Sequence, residues 1–461
     1  MKYLRQEKGF YRRVLGLMLP LTAQNFITSS LSLADTFMVG VLGERELAAV
    51  TMANTPFFLA LLLCFGLQSG VGVLVAQYHG RGGGMNAINR ILGIGLWTSM
   101  GATFLLGLVA ALFPEGIMRL LTNNESLVEP GAAYTRIAGF SYFFASISGM
   151  YLAVRRSMSE PRLGAVILCG SGILNIFLNW VLIFGKLGFP AMGVSGAALA
   201  TLISRMLEVV AVIPCALRSK SLKLKAELLL RPGREMGQDF VKYCLPVVCN
   251  ELLWSLAFSS YSVILGHMPN NTPLLAAYTL VGNLDKLLTV AIFACGSAAA
   301  VIIGREIGMG HRETLYSKAM ALNMVALGFG LLCTVLMLLT RTFLARQYLF
   351  PLMDFGAEAS ETALYMLLVL SIFSPLRSVT LTNIIGVFRG GGDVRYALYL
   401  DLIPMFAFCV PLAALTGLVL DLGIRVVYII IYCDDVIKAL IGLPRLVSGR
   451  WIHVVTREEC T

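Results

Sequence analysis

Twelve apolar stretches, each long enough to cross a bilayer as a helix, follow one another through the 461 residues of the chain. A spanning helix needs about 20 predominantly apolar residues. In lipid every backbone polar group must find its partner inside the segment or in a closed barrel, so runs of this length fix the secondary structure as helical. The runs fall at 12–40, 47–78, 87–113, 130–154, 162–184, 192–217, 239–267, 274–304, 315–344, 360–387, 395–418 and 424–444. Breakers separate them: GRGGG at 80–84, Glu160-Pro161, Gly188 to Pro190, Pro232-Gly233, Pro269-Asn270-Asn271 and GGG at 390–392. Charged residues make up 13% of the chain, against about 25% in soluble domains. The expected fold is an all-α polytopic membrane protein with twelve transmembrane helices.

The net charge of +10 does not point to nucleic acid, because the basic residues sit in short loops and not among aromatics in a soluble segment. With the N-terminus on the cytoplasmic side, 24 Lys and Arg fall in cytoplasmic segments and 6 in outer loops. That bias sets both termini inside a plasma or inner membrane. The basic start, MKYLRQEKGFYRRV, lacks the short apolar core and small-residue cleavage site of a signal peptide. It is read as a surface helix leading into the first span. The ten cysteines form no CxxC pair and are expected as buried free thiols. The four histidines have no metal-ligand spacing.

The two halves of the chain repeat. FGLQSGVGVLVAQYHG at 65–80 lines up with FACGSAAAVIIGREIG at 293–308, and Pro20 falls opposite Pro246. Arg156 to Glu160 falls opposite Arg389 to Asp393. These anchors occur in the same order in both halves with a slowly drifting offset. Six spans per half keep both halves in the same orientation, so the repeat is parallel and its substrate route is expected between the halves. The longest polar stretch, 218–237, separates the halves, giving lobes at 1–217 and 238–461. Its alternating Leu and Lys suggest an interfacial linker.

The first span carries a lone carboxylate, Asp35, beyond Pro20. An isolated charge at mid-membrane costs about 2.5–3.5 kcal/mol on insertion scales, so a chain that keeps one generally uses it. Ser29, Ser30, Ser32 and Thr36 add hydroxyls nearby. Asn175 and Asn179 lie four residues apart on one face of the fifth span. Their amide oxygens can accept a hydrogen bond from a carboxylic acid or ligate a cation, or the amides can simply join helices. Pro20 frees a backbone carbonyl and is a candidate hinge. In the second half, Glu251 lies five residues after Pro246, Asp401 sits in an apolar stretch, and Arg377 and Arg205 lack sequence-local acids. Glu251, Asp401 and Arg377 are candidates for a second-lobe cavity. Asp434, Asp435 and Lys438 are expected to pair within the last span.

These features together resemble the multidrug and toxic compound extrusion (MATE) family. The resembling motifs are Leu33-Ala34-Asp35 with Val39-Gly40; Gln77 to Gly82; Asn175 to Asn179 with Ile183-Phe184-Gly185; Gly193 to Thr201; Pro246 with Asn250-Glu251-Leu252; Arg389 to Asp393; and Gly449-Arg450-Trp451. No one of them is strong alone, and together in order they cover nearly the whole chain. The resemblance implies a secondary active exporter of amphipathic, often cationic small molecules, working as an antiporter on H⁺ or Na⁺ entry. It implies that an acid at the position of Asp35 couples ion entry to drug release, with Asn175 and Asn179 beside it as a candidate Na⁺ site, and that two lobes rock about a central cavity. Some members have an aspartate where this chain has Asn179, and some carry an acid in the tenth span where this chain reads Phe373-Ser374-Pro375.

The alternative is a flippase or exporter of lipid-linked or polysaccharide precursors from the wider superfamily. The acids and amides of the candidate cavity disfavour it, since a phosphate carrier wants basic groups. A channel would need a filter-like stretch, and a membrane enzyme would need clustered His, Asp or Ser. Neither pattern occurs, and the glycine runs lack the lysine of a phosphate loop. Expected partners are small-molecule drugs or organic cations and the lipid bilayer, with no nucleic acid, no cofactor beyond the coupling ion, and a monomeric state.

Overall fold

The computed structural model of the chain describes residues 6–82, 84–269, 271–352 and 355–457. Lys2 and Arg5 of the charge count, Gly83, Asn270 and Cys460 lie outside the described residues. Among the described residues, eleven helices are long and apolar enough to cross a membrane. They correspond to α1 (Phe10–Gly40), α2 (Arg45–Gly80), α3 (Met85–Leu112), α4 (Glu125–Ser157), α5 (Pro161–Phe184), α6 (Gly193–Leu217), α7 (Arg234–His267), the second part of α8 (Val290–Gly308), α9 (Arg312–Leu349), α10 (Ala357–Phe388) and α11 (Val394–Val419). The twelfth, α12 (Gly423–Ser448), has the length but carries Asp434, Asp435 and Lys438 at its middle. The first part of α8 is a helix of its own, Asn271–Leu288. The single run expected at 274–304 is thus two helices in series, with Thr289 between them donating its hydroxyl to the Asp285 carbonyl. The nine described cysteines are free thiols, five of them buried as expected, while Cys169, Cys215, Cys249 and Cys433 are only half-buried.

The chain forms two compact units. Unit 1 is Met1–Thr22 with Cys249–Val455, and unit 2 is Ala23–Val248 with Thr456–Thr461. The boundaries fall inside α1, two residues after Pro20, and inside α7, two residues after Pro246.

In unit 1, Phe10, Val14 and Met18 at the start of α1 are buried in a core with Ile303, Leu322, Phe388 and Trp451. The surface helix expected at the N-terminus is therefore corrected. Residues 6–9 are not helical, and the helix from Phe10 onward is packed, with Gln6 donating to Ser317 at 2.7 Å. A second core gathers Tyr261, Leu265, Met366, Leu367, Tyr428 and Ile431. The backbone of α11 widens into a π-helical turn at Pro404–Cys409, where Pro404 has no N–H to give to the regular ladder. The chain leaves α12 through Gly449, whose φ of 67° is left-handed. It then buries Trp451, whose Nε1 donates to the Leu446 carbonyl at 3.0 Å. A Cβ on Gly391 would stand 2.5 Å from the Trp451 carbonyl oxygen, so the glycine run at 390–392 is the seat of this segment.

In unit 2, α2 meets the first part of α7 backbone to backbone. A Cβ on Gly70 would lie 2.6 Å from the Cys244 Cα, and one on Gly66 would lie 2.8 Å from the Val248 Cα. The Gly66 and Gly70 spacing is the small-residue signature of closely packed membrane helices. The polar linker lies on α3. Asn89 donates to the Lys223 carbonyl and accepts from the Lys225 amide, and Trp97 donates to the Leu229 carbonyl at 3.1 Å. Arg457 grips the Asp239 carboxylate through two nitrogens at 2.6 and 2.9 Å.

Candidate functional site

Asp35 comes from the second half of α1 and is partly buried in unit 2. Of the hydroxyls near it in sequence, that of Thr36 donates back to the Ser32 carbonyl of its own helix. Its partner is Asn179 of α5, whose Nδ2 donates to Asp35 Oδ1. The same Nδ2 lies 3.4 Å from Asn175 Oδ1, and Asn175 Nδ2 lies 3.4 Å from Thr201 Oγ1 on α6. The structure therefore brings together the three groups expected to act as one. Asn179 is fully buried, and its Oδ1 has no hydrogen-bond partner. An orphaned buried acceptor beside a carboxylate is a polar deficit that a proton or a cation would relieve.

One residue of this neighbourhood was missed in the sequence. Arg205 does have a sequence-local acid: Glu208, three residues on, pairs with it at 2.7 Å and also accepts from Ser148 of α4. The i, i+3 spacing on α6 was the available signal.

In unit 1 the second-half candidates separate. Glu251 is tied to Arg389 at 2.7 Å and is not among the residues lining the cavity that holds Asp401 and Arg377. Arg377 Nη1 donates to both oxygens of Asp285, at 3.0 and 2.9 Å. Asp401 accepts from Asn250 at 2.8 Å and pairs with Lys438 at 2.8 Å. Lys438 also reaches Asp434 at 2.7 Å, so its ammonium sits between acids of two helices. Asp401, Arg377, Asp434, Asp435 and Lys438 all line one cavity of about 40 Å³.

The family model MatE matches residues 20–181 and 246–415. The chain belongs to the MATE family. The two matched segments begin at the paired prolines, Pro20 and Pro246, which restates the internal repeat. Among curated MATE relatives, the chain is 25% identical over 424 residues to an uncharacterized transporter of Bacillus subtilis, YisQ, covering 91% of this chain and 90% of the relative. It is 26% identical over 461 residues to a probable multidrug resistance protein, NorM, of Agrobacterium fabrum, covering 98% and 95%. A solved outward-facing multidrug resistance MATE transporter superposes with a TM-score of 0.83 at 20% identity, over 97% of this chain and 98% of that one. The all-helical fold of twelve helices in two lobes is borne out. As a MATE protein the chain is a multi-pass membrane transporter and not an enzyme.

Proposed function

We propose that this protein is an antiporter that exports amphipathic, often cationic small molecules in exchange for entering H⁺ or Na⁺, with Asp35, Asn175 and Asn179 as its ion-coupling group. The observation that carries the reading is the orphaned Oδ1 of Asn179 next to the carboxylate it serves. With Asp35 ionised, the group has one negative charge and one acceptor too many. A proton on Asp35, or a Na⁺ held by Asp35 and the two amide oxygens, removes both. Neutralising Asp35 also removes the charge that holds a cationic substrate, so ion entry and substrate release become opposite states of one site. The multidrug resistance names of the relatives support the substrate class.

Pro20 is the hinge in this reading. It lacks an N–H, and the unit boundary falls two residues beyond it. The Lys and Arg bias supports both termini on the cytoplasmic side of a plasma or inner membrane, with the sequence repeats 1–217 and 238–461 joined by the linker 218–237 in a monomer. The test is export of a fluorescent organic cation from proteoliposomes under an imposed pH or Na⁺ gradient. Wild type responds to one of the two gradients and Asp35→Asn responds to neither. Undiminished gradient-driven export by Asp35→Asn refutes the proposal.

A further inference from the structure

The linker at 218–237 belongs to unit 2 and does not run over α3 at one depth. It is seated on Asn86, Arg90, Gly93 and Trp97, whose spacing of four, three and four sets them in a row along one helix face. Lys225 Nζ donates to Asn86 Oδ1 at 2.8 Å. Four residues later, Leu229 has reached the other end of the row. A Cβ on Gly93 would stand 2.8 Å from the Leu229 Cα, and the Trp97 indole donates to the Leu229 carbonyl. The chain then turns back. A Cβ on Gly233, whose φ of 84° is left-handed, would stand 3.4 Å from Arg90 Nη1. The linker is therefore a hairpin laid along α3, with the short helix Ala226–Leu230 as its outgoing arm. Met85 begins α3, so the tip of the hairpin points down the span. The step from Asn86 to Trp97 gives it a reach of about 16 Å.

The tip is apolar and the shoulders are basic. Leu230 is 63% exposed and Trp97 54% exposed. An indole with its N–H tied to a carbonyl and its ring left open is suited to the boundary between lipid and water. Arg218, Lys220, Lys223, Lys225, Arg231 and Arg234 are all exposed, and Glu227 is the one acid among residues 218–234. Among the described residues none of these six cations is in an ion pair, and the acids on either side are taken, Glu160 by Arg155 and Glu235 by Arg457. Arg90, beneath Gly233, adds a further charge, and its Nε is buried with no hydrogen-bond partner. A guanidinium donor in that state lacks an acceptor, which a phosphate oxygen can supply. The bonds from Asn89 and Trp97 fix the backbone of the hairpin, so the cations are displayed with much of the ordering cost of binding already met.

We infer that the linker hairpin is a docking site for an anionic phospholipid of the surrounding membrane. Arg90, Arg231 and Arg234 at the return of the hairpin, with Lys223 and Lys225 at its start, receive the headgroup, and an acyl chain lies along Trp97 and Leu230. Charge complementarity chooses the ligand. A cluster of cations beside a span, next to apolar side chains that enter the interface, is the pattern that anionic lipid recognises. A zwitterionic lipid offers a phosphate but brings its own ammonium, which these cations repel. A nucleic acid or an acidic peptide would match the charge and leave Leu230 and Trp97 in water. The inference does not rest on the antiport reading, since it concerns the lipid alone.

The test is quenching of tryptophan fluorescence by lipids with brominated acyl chains, on the full-length protein in vesicles of phosphatidylcholine with a minority of phosphatidylglycerol. The proportions are the same in both samples, and the brominated chains are moved from the phosphatidylglycerol to an equal amount of the phosphatidylcholine. The difference between wild type and Trp97→Phe isolates the signal of Trp97. Each cation near an anionic surface is worth about fivefold in binding, so brominated phosphatidylglycerol should be favoured at Trp97 by at least about fivefold. The preference should fall as salt rises. It should be largely lost in the triple variant Lys223→Gln, Arg231→Gln, Arg234→Gln, whose changes are confined to exposed side chains outside any ion pair. Equal quenching by the two lipids overturns the inference, as does a preference unchanged in Trp97→Phe, which would place the lipid elsewhere. A preference indifferent to salt also overturns it, and that measurement needs only the wild-type protein.

Discussion

The approach of α2 to the first part of α7 makes a quantitative prediction at Gly70. A Cβ there would lie 2.6 Å from the Cys244 Cα, 2.8 Å from its Cβ and 2.9 Å from its Sγ. The nearest of these atoms is backbone, so one helix must move to admit a methyl group, and overpacking of this kind costs about 1–3 kcal/mol. Against that stands the helix preference for Ala over Gly, about 1 kcal/mol. Gly101 of α3 supplies the control, because a Cβ there meets nothing within 4 Å. Taking the difference between Gly70→Ala and Gly101→Ala cancels the propensity term and leaves the clash, so Gly70→Ala is the less stable by about 1–3 kcal/mol. Cys244→Gly removes two of the three close contacts and restores part of the loss. Thermal unfolding of purified protein in detergent, followed by near-ultraviolet circular dichroism, gives the order Gly70→Ala below wild type and wild type at or below Gly101→Ala. A Gly70→Ala protein that unfolds at or above the Gly101→Ala midpoint would refute the packing argument.

Three further outcomes follow from unit 1. Lys438→Met leaves Asp401 and Asp434 buried without their shared ammonium, and removing one partner of a buried pair costs about 3–5 kcal/mol; adding Asp401→Asn recovers part of it, and additive losses in the double variant would show that the pair is not coupled. Trp451→Ala empties a fully buried site and should lower stability by about 3–5 kcal/mol, measured as a fall in the unfolding midpoint, while an unchanged midpoint would mean the final segment is not held by this ring. Glu7 receives Lys318 at 3.3 Å and Arg13 at 3.3 Å, and Lys318 above all holds its carboxyl below the usual value of 4.5. Its contribution to docking the start of the chain is therefore present above pH 4.5 and fades as pH falls through and below it. Hydrogen exchange of residues 6–20, corrected for the intrinsic rate, should quicken in that range for wild type, and Glu7→Gln should remove the dependence.

Much of the fold was legible because lipid leaves few choices. Apolar length and glycine or proline breakers mark the spans, and the pairing of Pro20 with Pro246 marks the repeat. The packing seams were legible in part: Gly66 and Gly70 have the spacing of a close helix contact, and Gly391 lies in a run that reads as a loop until Trp451 is seen against it. Partners across helices were less accessible. Asp35 finds Asn179 at a separation of 144 residues, Glu251 finds Arg389 at 138, and Arg377 finds Asp285 at 92. Such pairings depend on the rotation of each helix about its axis, and a span that is apolar nearly all round carries little information on that rotation. Arg205 with Glu208 and Asp434 with Lys438 are the exceptions, since three or four residues along one helix fix their meeting without any knowledge of the neighbours.

The placement of the unit boundaries inside α1 and α7 bears on how the halves could have existed apart. A polypeptide cut anywhere in the linker keeps Met1–Thr22, which completes unit 1, on the fragment that otherwise builds unit 2. The other fragment keeps the start of α7, which completes unit 2. Each piece is thus a donor to its partner and a defective copy of itself. Co-expressed pieces should reassemble as a complementing pair, whereas either produced alone exposes a helix-sized gap in its packing.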